Sequence, residues 1–219
     1  VEALRNATAV GGVPQALTDN LCYGNPEKEG QMWEFSEGTR GIADACKGIH
    51  LKDHPDFPTP IISGNVSLYN ETNDVSIPPS PIVSCIATLP NVSSAITMHF
   101  KRTGSALYMI GARKDECGGS VYYSLYGELG ASVPKPDVSL VQHELFALVD
   151  AIQAGAVLAA HDISDGGIAV TIAEMSFRNE IGCDVTIPGY FRADKKLFGE
   201  TGGFVIEVVP EHVSSVEEA

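Results

Sequence analysis

The sequence PIISGNVSLYNE at residues 60–71 decides the fold of this chain, because an apolar run leads there into small and polar residues. The sequence AVLAAHDISDGG at residues 156–167 has the same form, and it opens a helical pattern. A third stretch, LTDNLCYGNPEK at residues 17–28, lies at another strand-to-helix junction. Small and acidic groups where a strand ends are typical of ligand sites in α/β folds. The three stretches therefore predict an α/β protein that binds ligands at the ends of strands.

The size and charge of the chain restrict the class of protein. Its 219 residues are 44% hydrophobic, which is sufficient for a globular protein with a sizeable core. A formal net charge of −14 argues against nucleic acid as a partner, because phosphate backbones bind basic surfaces. Nucleotides remain compatible with this charge when Mg2+ accompanies their phosphates. The sequence contains no apolar run of membrane-spanning length, so we expect no membrane partner.

The cysteines indicate the redox compartment. They stand at positions 22, 46, 85, 117 and 183 and form no CxxC pair. An odd number without paired spacing is typical of free thiols in a reducing compartment. The sequence therefore predicts a cytoplasmic protein.

Hydrophobic periodicity divides the chain into helices and strands. Helices are predicted at residues 1–10, 29–47, 139–154, 166–177 and 194–198. Strands are predicted at residues 16–21, 59–68, 82–89, 106–110, 157–163, 183–187 and 203–209, with a connector at 77–81. The helix at 139–154 is predicted to bury Leu140, Leu145, Leu148, Val149 and Ile152.

A shift in composition marks the domain boundary. Residues 91–103 contain turn residues and a Lys-Arg pair, which predicts two α/β (α+β) domains at residues 1–95 and 96–219. The chain begins within a helical pattern and without a start methionine. We therefore expect it to be a piece of a longer polypeptide.

The GNVS sequence supplies the first candidate site. Gly64 allows backbone to approach a phosphate, since it has no Cβ. Asn65 offers a carbonyl oxygen that suits Mg2+, and Ser67 offers a hydroxyl for a polar substrate. The alternative is a Gly-Asn turn whose serine bonds locally, and the residues alone leave the two open.

Asp19 and the His161–Asp162 pair are the other candidates. Asp19 has a carboxylate that suits a ribose hydroxyl, an amine or a metal, but the local sequence favours an Asx turn or a helix-entry residue. His161 and Asp162 suit a metal site or an acid–base pair. The alternative is a turn in which Asp162 or Ser164 caps the next helix, and it is favoured because the further ligands of a zinc site are missing.

In this order, and followed by LFGET at residues 197–201, the three stretches resemble phosphoribosylformylglycinamidine synthases. These are ATP-dependent synthases of purine biosynthesis, and the likeness is to their shorter, multi-subunit form. It runs over essentially the whole chain. The resemblance implies a pair of α/β domains as in the aminoimidazole ribonucleotide synthetase-like superfamily, with this chain as most of the second of two tandem halves.

The resemblance also implies roles for four residues. It assigns Asp19 and Gly64 to ATP, Asn65 to Mg2+ and Ser67 to the formylglycinamide ribonucleotide. It assigns no catalytic residue to this chain, because the family's catalytic histidines belong to the absent half. We also expect Asp19, Gly64 and Asn65 to line one pocket, because neighbouring strand ends converge.

The implied reaction is an ATP-dependent amide-to-amidine conversion. ATP phosphorylates the amide oxygen of the ribonucleotide, and ammonia then displaces phosphate. The implied partners are the remaining half of the polypeptide, a glutaminase subunit that supplies ammonia and a small bridging subunit. The chain alone is expected to be inactive. The alternatives are a non-catalytic nucleotide-binding or structural module of the same fold, or another ATP-dependent kinase or synthetase of the superfamily.

Overall fold

The computed structural model describes residues 1–217 and contains seven α-helices and eight strands within them. The helices are α1 (Glu2–Ala9), α2 (Glu29–Gly48), α3 (Val121–Ser124), α4 (Val138–Gln153), α5 (Gly167–Ser176), α6 (Ala193–Phe198) and α7 (Val213–Glu217). The strands are β1 (Val13–Cys22), β2 (Ile61–Ser67), β3 (Glu71–Thr72), β4 (Val75–Ser76), β5 (Ser80–Thr88), β6 (Ala106–Ile110), β7 (Val157–Asp162) and β8 (Phe204–Val208).

The chain forms two compact units, and each combines helices with strands. Unit 1 comprises Val1–Val13 and the described residues from Leu89 onward, and unit 2 comprises Pro14–Thr88. This grouping differs from the predicted division at residues 1–95 and 96–219, because α1 packs on α4 and β7 of unit 1. The two last residues of the second predicted domain lie outside the described residues.

In unit 2, a three-stranded sheet has the order β2-β1-β5, and β1 runs parallel to β2. Tyr23 follows β1, is buried, and meets Phe35 of α2 edge to face, with ring centroids 5.2 Å apart. The short hairpin of β3 and β4 turns at Asn73 and Asp74, which have φ angles of 51° and 62°. Positive φ at both positions is what a two-residue hairpin of this twist requires, and Asn and Asp tolerate it.

In unit 1, β8 is the central strand of the antiparallel sheet β6-β8-β7. All five residues of β8 are buried. The core beside this sheet is formed by six buried side chains from several elements: Phe100, Ala159, Ile163, Ile168, Met175 and Val205. Glu207 is the one charged residue of β8. Its carboxylate accepts hydrogen bonds from the backbone N–H groups of Lys101 and Arg102 at 2.7 and 2.9 Å. These two bonds satisfy a buried charge that is otherwise costly.

Helix α4 follows directly from its sequence. The Asp137 side chain accepts the backbone N–H groups of Ser139 and Leu140, which caps the first turn. The buried side chains are Val141, Leu145, Leu148, Val149 and Ile152. The prediction that Leu140 belongs to this face was wrong, since helical spacing from Leu145 and Leu148 leads back to Val141 instead.

The predicted strand at residues 183–187 is wrong, because these residues have no regular secondary structure. Ile181 and Ile187 nevertheless pack against the core of unit 1 with their side chains. The β-branched composition of residues 183–187 therefore does not mark a strand, since Val185 is 40% exposed and only Ile187 packs on the core. The predicted connector at 77–81 is also shorter than expected, since β5 already begins at Ser80.

Within residues 1–217, none of the helices is both long and apolar enough to cross a lipid bilayer.

The packing of α4 leads to a stability prediction. Leu148 is completely buried, so Leu148→Ala should lower the free energy of unfolding of unit 1 by about 2–5 kcal/mol. Leu129→Ala is the matched control, because Leu129 is 76% exposed and should change stability by less than about 0.5 kcal/mol. Denaturant unfolding followed by circular dichroism measures both. Equal losses in the two variants would contradict the assignment of Leu148 to the core.

Candidate functional site

The parallel pairing of β1 with β2 places two of the three sequence stretches side by side. The register sets Asp19 beside Gly64, Asn20 beside Asn65, and Cys22 beside Ser67. All of these residues lie within the strands, and the GNVS sequence forms the last four residues of β2, as the predicted strand at 59–68 implies. The two stretches lie next to each other, as predicted, although the paired residues are about 45 positions apart in sequence.

An irregularity in the pairing decides which face each side chain takes. Leu17 pairs with Ile61, whereas the next residue, Thr18, pairs with Ser63. Ile62 is therefore an extra residue in β2, as in a β-bulge. Because side chains alternate along a strand, this one-residue shift moves every later side chain of β2 to the other face relative to β1.

One face carries Asp19 and Gly64. A Cβ built on Gly64 would lie only 1.9 Å from Oδ1 of Asp19, so the carboxylate occupies the space that any other residue would fill. Leu17 and Leu21, which alternate with Asp19 on the same face, are buried. Burial raises the pKa of the Cys46 thiol of α2, and the nearby charge of Asp19 raises it further.

The other face carries a ladder of polar pairs across β1 and β2, which we call the polar ladder. The hydroxyl groups of Thr18 and Ser63 are 2.8 Å apart and share a hydrogen bond. Nδ2 of Asn65 donates to Oδ1 of Asn20 at 2.8 Å. The sequence reasoning missed Thr18, Ser63 and Asn20. The alternation of apolar and polar residues in LTDNLC contained a signal for them, but their partners were not evident from one strand alone.

Asp19 and Asn65 consequently lie on opposite faces of the sheet. Asp19 is on the face of its pair Gly64, and Asn65 follows Gly64 directly in β2. The prediction that Asp19, Gly64 and Asn65 line one pocket is therefore wrong for their side chains. The sequence identified adjacent residues correctly, but it carried no information about the bulge that assigns their faces.

Ser67 lies at the end of β2, where loops from both strands interlock. Its hydroxyl and the Asn70 side chain are within hydrogen-bond distance, and Nδ2 of Asn70 also donates to the carbonyls of Tyr23 and Ser67. Nζ of Lys28 pairs with Glu71 at 2.8 Å. Lys28 lies immediately before α2, so this ion pair links the segments that follow the two strands.

The polar ladder offers oxygen atoms of the kind that Mg2+ binds, but they are neutral. Asn65 uses its amide nitrogen toward Asn20, so its Oδ1 keeps its capacity as an acceptor. Among the residues that the structure describes, none form a cluster of three or more His, Cys, Asp or Glu side chains able to hold a metal. Asn65 therefore fits Mg2+ as a single protein ligand, with phosphate and water oxygens as the others.

In unit 1, His161 lies between two carboxylates. Its Nδ1 is 3.2 Å from Oδ1 of Asp162, and its Nε2 is 2.9 Å from Oε2 of Glu174. The side-chain amide nitrogen of Asn6 in α1 donates to the Asp162 carboxylate, with its oxygens 3.1 and 3.2 Å away. The prediction that His161 belongs to a turn is wrong, since it lies in β7. The predicted cap is also wrong, because the residue directly before α5 is Gly166, with a φ of 76°, and no side chain caps the helix there.

The cluster shifts the pKa values of both its central groups. The hydrogen bond to Asp162 raises the pKa of His161, and Glu174 adds to this, while burial opposes it. Burial acts to raise the pKa of Asp162, but the hydrogen bond and charge of His161 and the charge of Arg5 outweigh it. The pKa of Asp162 is therefore lowered. An imidazolium that donates from both ring nitrogens is the form that this geometry favours.

Comparison with known proteins assigns both parts of the chain. Residues 1–89 match the family described as AIR synthase related protein, N-terminal domain, and residues 102–219 match its C-terminal domain. The chain is 47% identical over 210 residues to phosphoribosylformylglycinamidine synthase subunit PurL of Methanothrix thermoacetophila. That match covers 94% of this chain but only 27% of the relative, so the chain spans about a quarter of that protein.

Solved structures share the fold at lower identity. T. maritima PurL complexed with FGAR has a TM-score of 0.72 and 16% identity, and the match covers 98% of this chain and 35% of the other. T. maritima PurL complexed with ATP has a TM-score of 0.67 and 15% identity, with coverage of 98% and 33%. At this identity the likeness demonstrates the fold alone.

The His161 cluster leads to a prediction about pH. Because the folded state raises the pKa of His161 above its usual 6.5, the stabilisation is complete below that pH and is lost as pH rises through the raised value. The free energy of unfolding should therefore fall as the pH rises above the usual pKa of 6.5 and through the raised pKa, and His161→Gln should flatten this slope. His143→Gln, at an exposed position, is the control and should keep the slope. An unchanged slope in His161→Gln would refute the cluster's role.

Proposed function

Because this chain belongs to the AIR synthase related family, we propose that it is part of a phosphoribosylformylglycinamidine synthase, an ATP-dependent ligase of purine biosynthesis. The observation that carries this proposal is the 47% identity to a PurL subunit over 94% of the chain. In the proposed reaction, formylglycinamide ribonucleotide, ammonia and ATP yield formylglycinamidine ribonucleotide, ADP and phosphate. The ATP and FGAR complexes of T. maritima PurL, which shares the fold, support nucleotide and ribonucleotide ligands.

The proposed nucleotide site is the β1–β2 pair. Gly64 is proposed to contact ATP through its backbone, since the Asp19 carboxylate takes the space beside its Cα, and Asn65 lies next to it on the polar ladder. Asp19 is proposed to contact ATP with its carboxylate. This carboxylate lies over Gly64, on the face of the sheet opposite to the polar ladder. The nucleotide must then reach past the edge of the sheet to meet both residues. This requirement makes Asp19 and Asn65 separately testable.

Mg2+ is the proposed metal, held by Oδ1 of Asn65. A bound Mg2+ would neutralise charge on the phosphoryl group during its transfer. Asn20 contributes by orientation, since the bond from Nδ2 of Asn65 fixes which way the amide oxygen points. The neutrality of the ladder fits this role, because carboxylates at these positions would repel the phosphates that must share the metal.

Ser67 is proposed to contact the ribonucleotide. Its hydroxyl already meets the Asn70 side chain at 3.1–3.2 Å, so a substrate group must share or replace this contact. The hydrogen bonds of Asn70 to two backbone carbonyls hold the amide in place during that exchange. Asn70 is therefore a positioning residue for Ser67 in this proposal.

The partners follow from the proposed reaction. We propose that the rest of a longer polypeptide completes the active site, because the chain spans about a quarter of the PurL relative. A glutaminase subunit would supply ammonia, and a small subunit would bridge the two. The chain by itself is proposed to be inactive. Its five cysteines are free, which supports a reducing compartment such as the cytoplasm.

One observation favours a second candidate function, a structural or nucleotide-binding module without catalysis. The side chains of the polar ladder already satisfy one another in two cross-strand pairs. A ladder of this kind stabilises a sheet without any ligand. Mg2+-dependent binding of ATP separates the synthase from a structural module, and turnover by the longer polypeptide separates it from a nucleotide-binding module without catalysis.

The experiment compares Asn65→Leu with Asn20→Leu. Both variants break the same hydrogen bond, but only Asn65→Leu removes the proposed ligand oxygen. Titration calorimetry of ATP, with and without Mg2+, should show binding weakened about tenfold or more in Asn65→Leu, or at least about 1.4 kcal/mol. Asn20→Leu should keep most of the Mg2+-dependent increase.

Asp19→Asn belongs in the same series and should weaken ATP binding with or without Mg2+, since Asp19 is not assigned to the metal. ATP binding by the longer polypeptide that Mg2+ does not strengthen would favour the structural module. Wild-type turnover and Mg2+ dependence in Asn65→Leu would reject the assignment of Asn65.

A further inference from the structure

Two arginines of unit 1 are buried side by side. Arg5 of α1 is 9% exposed and Arg113, after β6, is 8% exposed. Nε of each is buried without a hydrogen-bond partner among the described residues. Burial lowers the pKa of Arg113 to about 10, and the neighbouring charge of Arg5 contributes, with Glu144 opposing. Two buried guanidinium groups in a chain of net charge −14 need an explanation other than general surface charge.

Glycines form a cradle beside these arginines. Gly111, Gly202 and Gly203 have φ angles of 97°, 92° and 107°, which side chains rarely adopt. A Cβ on Gly202 would lie 2.6 Å from Nη1 of Arg5, so the guanidinium packs directly against this backbone. Arg113 donates to the carbonyls of Gly199 and Gly202, which fixes its own guanidinium in place.

We propose that this cradle binds a compact oxyanion of the phosphate class, with Arg5 as its principal ligand. The pocket has a volume of about 40 Å3 and is lined by Arg5, Gly111, Lys114, Lys135, Thr201 and Gly202, among others. Since a water needs about 10–15 Å3 of such volume, there is room for one compact group but not for a nucleoside. The Thr201 hydroxyl is buried without a partner among the described residues and supplies a further donor.

The charges around the pocket favour an anion even after its carboxylates are counted. Asp137 and Glu144 line the pocket together with Arg5, Lys114 and Lys135. The Asp137 carboxylate is engaged as the cap of α4. Glu144 is the second carboxylate, and its Oε1 would lie 3.3 Å from a Cβ on Gly111, so it also faces the cradle. The three cations of the lining outnumber these two carboxylates.

The charges that face Arg5 itself also include carboxylates outside the pocket lining. Burial lowers the pKa of Arg5, while the charges of Asp162, Glu2 and Glu144 act to raise it. These three carboxylates offset the Arg5 charge in part, but they leave its Nε without a hydrogen-bond partner among the described residues. An oxyanion in the cradle would accept from that nitrogen and balance the Arg113 charge beside it.

This site is independent of the proposed synthase function. Its residues belong to unit 1, whereas the β1–β2 pair from Pro14 onward belongs to unit 2. Free phosphate and the phosphate group of a small ester share the chemistry that the cradle recognises. The small volume favours a ligand whose remainder stays outside the pocket.

The test is a titration of the 15N-labelled chain with sodium phosphate, followed by NMR, against sodium chloride at matched ionic strength. We expect saturable shifts in the backbone amides of Gly111, Gly202 and Gly203 with phosphate only. Arg5→Gln should weaken this binding at least tenfold. Arg102→Gln removes a half-exposed charge that pairs with Glu211 and should bind as the wild type does.

Lys114→Gln is the second variant, because Arg5 is buried and its replacement can affect folding. Lys114 lies at the pocket and is partly exposed, and its loss should weaken phosphate binding severalfold in a folded protein. A parallel titration with ribose 5-phosphate separates the sources. Shifts with both probes support a site for phosphate esters, and shifts with phosphate alone support a site for the free anion. Equal responses to phosphate and chloride, or unchanged phosphate binding in both Arg5→Gln and Lys114→Gln, would overturn the proposal.

Discussion

The register between β1 and β2 is the constraint on which the candidate site depends. The extra residue at Ile62 and the missing side chain at Gly64 act together. The bulge brings Gly64 opposite Asp19, and only glycine leaves room there for the carboxylate. With any other residue at position 64, Asp19 would have to move, and the polar pairs that follow on the opposite face would lose their alignment. The site is therefore a consequence of backbone register before it is a set of functional groups.

The two units use polar side chains in different ways. In unit 2 the polar ladder is made of neutral, mutually bonded groups that can exchange partners with a ligand. In unit 1 four of the buried polar side chains are charged, namely Arg5, Arg113, Asp162 and Glu207, and Glu207 is fixed by two backbone amides. Arg5 and Arg113 depart from this pattern because one nitrogen of each lacks a partner among the described residues. Buried groups that lack partners are costly, which is why this departure is informative.

The sequence predicted most elements because their signals are local. Helical spacing in α4 and the Asp137 cap needed no information from elsewhere, and β6 was placed correctly from its apolar run. The prediction of a strand at residues 183–187 failed for a physical reason. Their composition is β-branched, but only Ile187 packs on the core, and a strand also needs a backbone partner, which composition does not reveal. The helix α1 was likewise recognised as a helix, while its membership of unit 1 depends on contacts with α4 and β7, more than a hundred residues away.

The sequence by itself determined the family, the neighbouring strands that carry Asp19 and Asn65, and the chemical types of the candidate ligands. The sequence could determine these features because motifs consist of residue identities and spacings, which can be recognised without the fold. Tertiary structure alone decided that Asp19 and Asn65 occupy opposite faces, that His161 bridges two carboxylates, and that two arginines meet at a glycine cradle. Each of these depends on a register, a bulge or a packing contact between distant segments. Such relations arise only when the chain folds, because they are set by which backbone groups pair and which volumes remain to be filled.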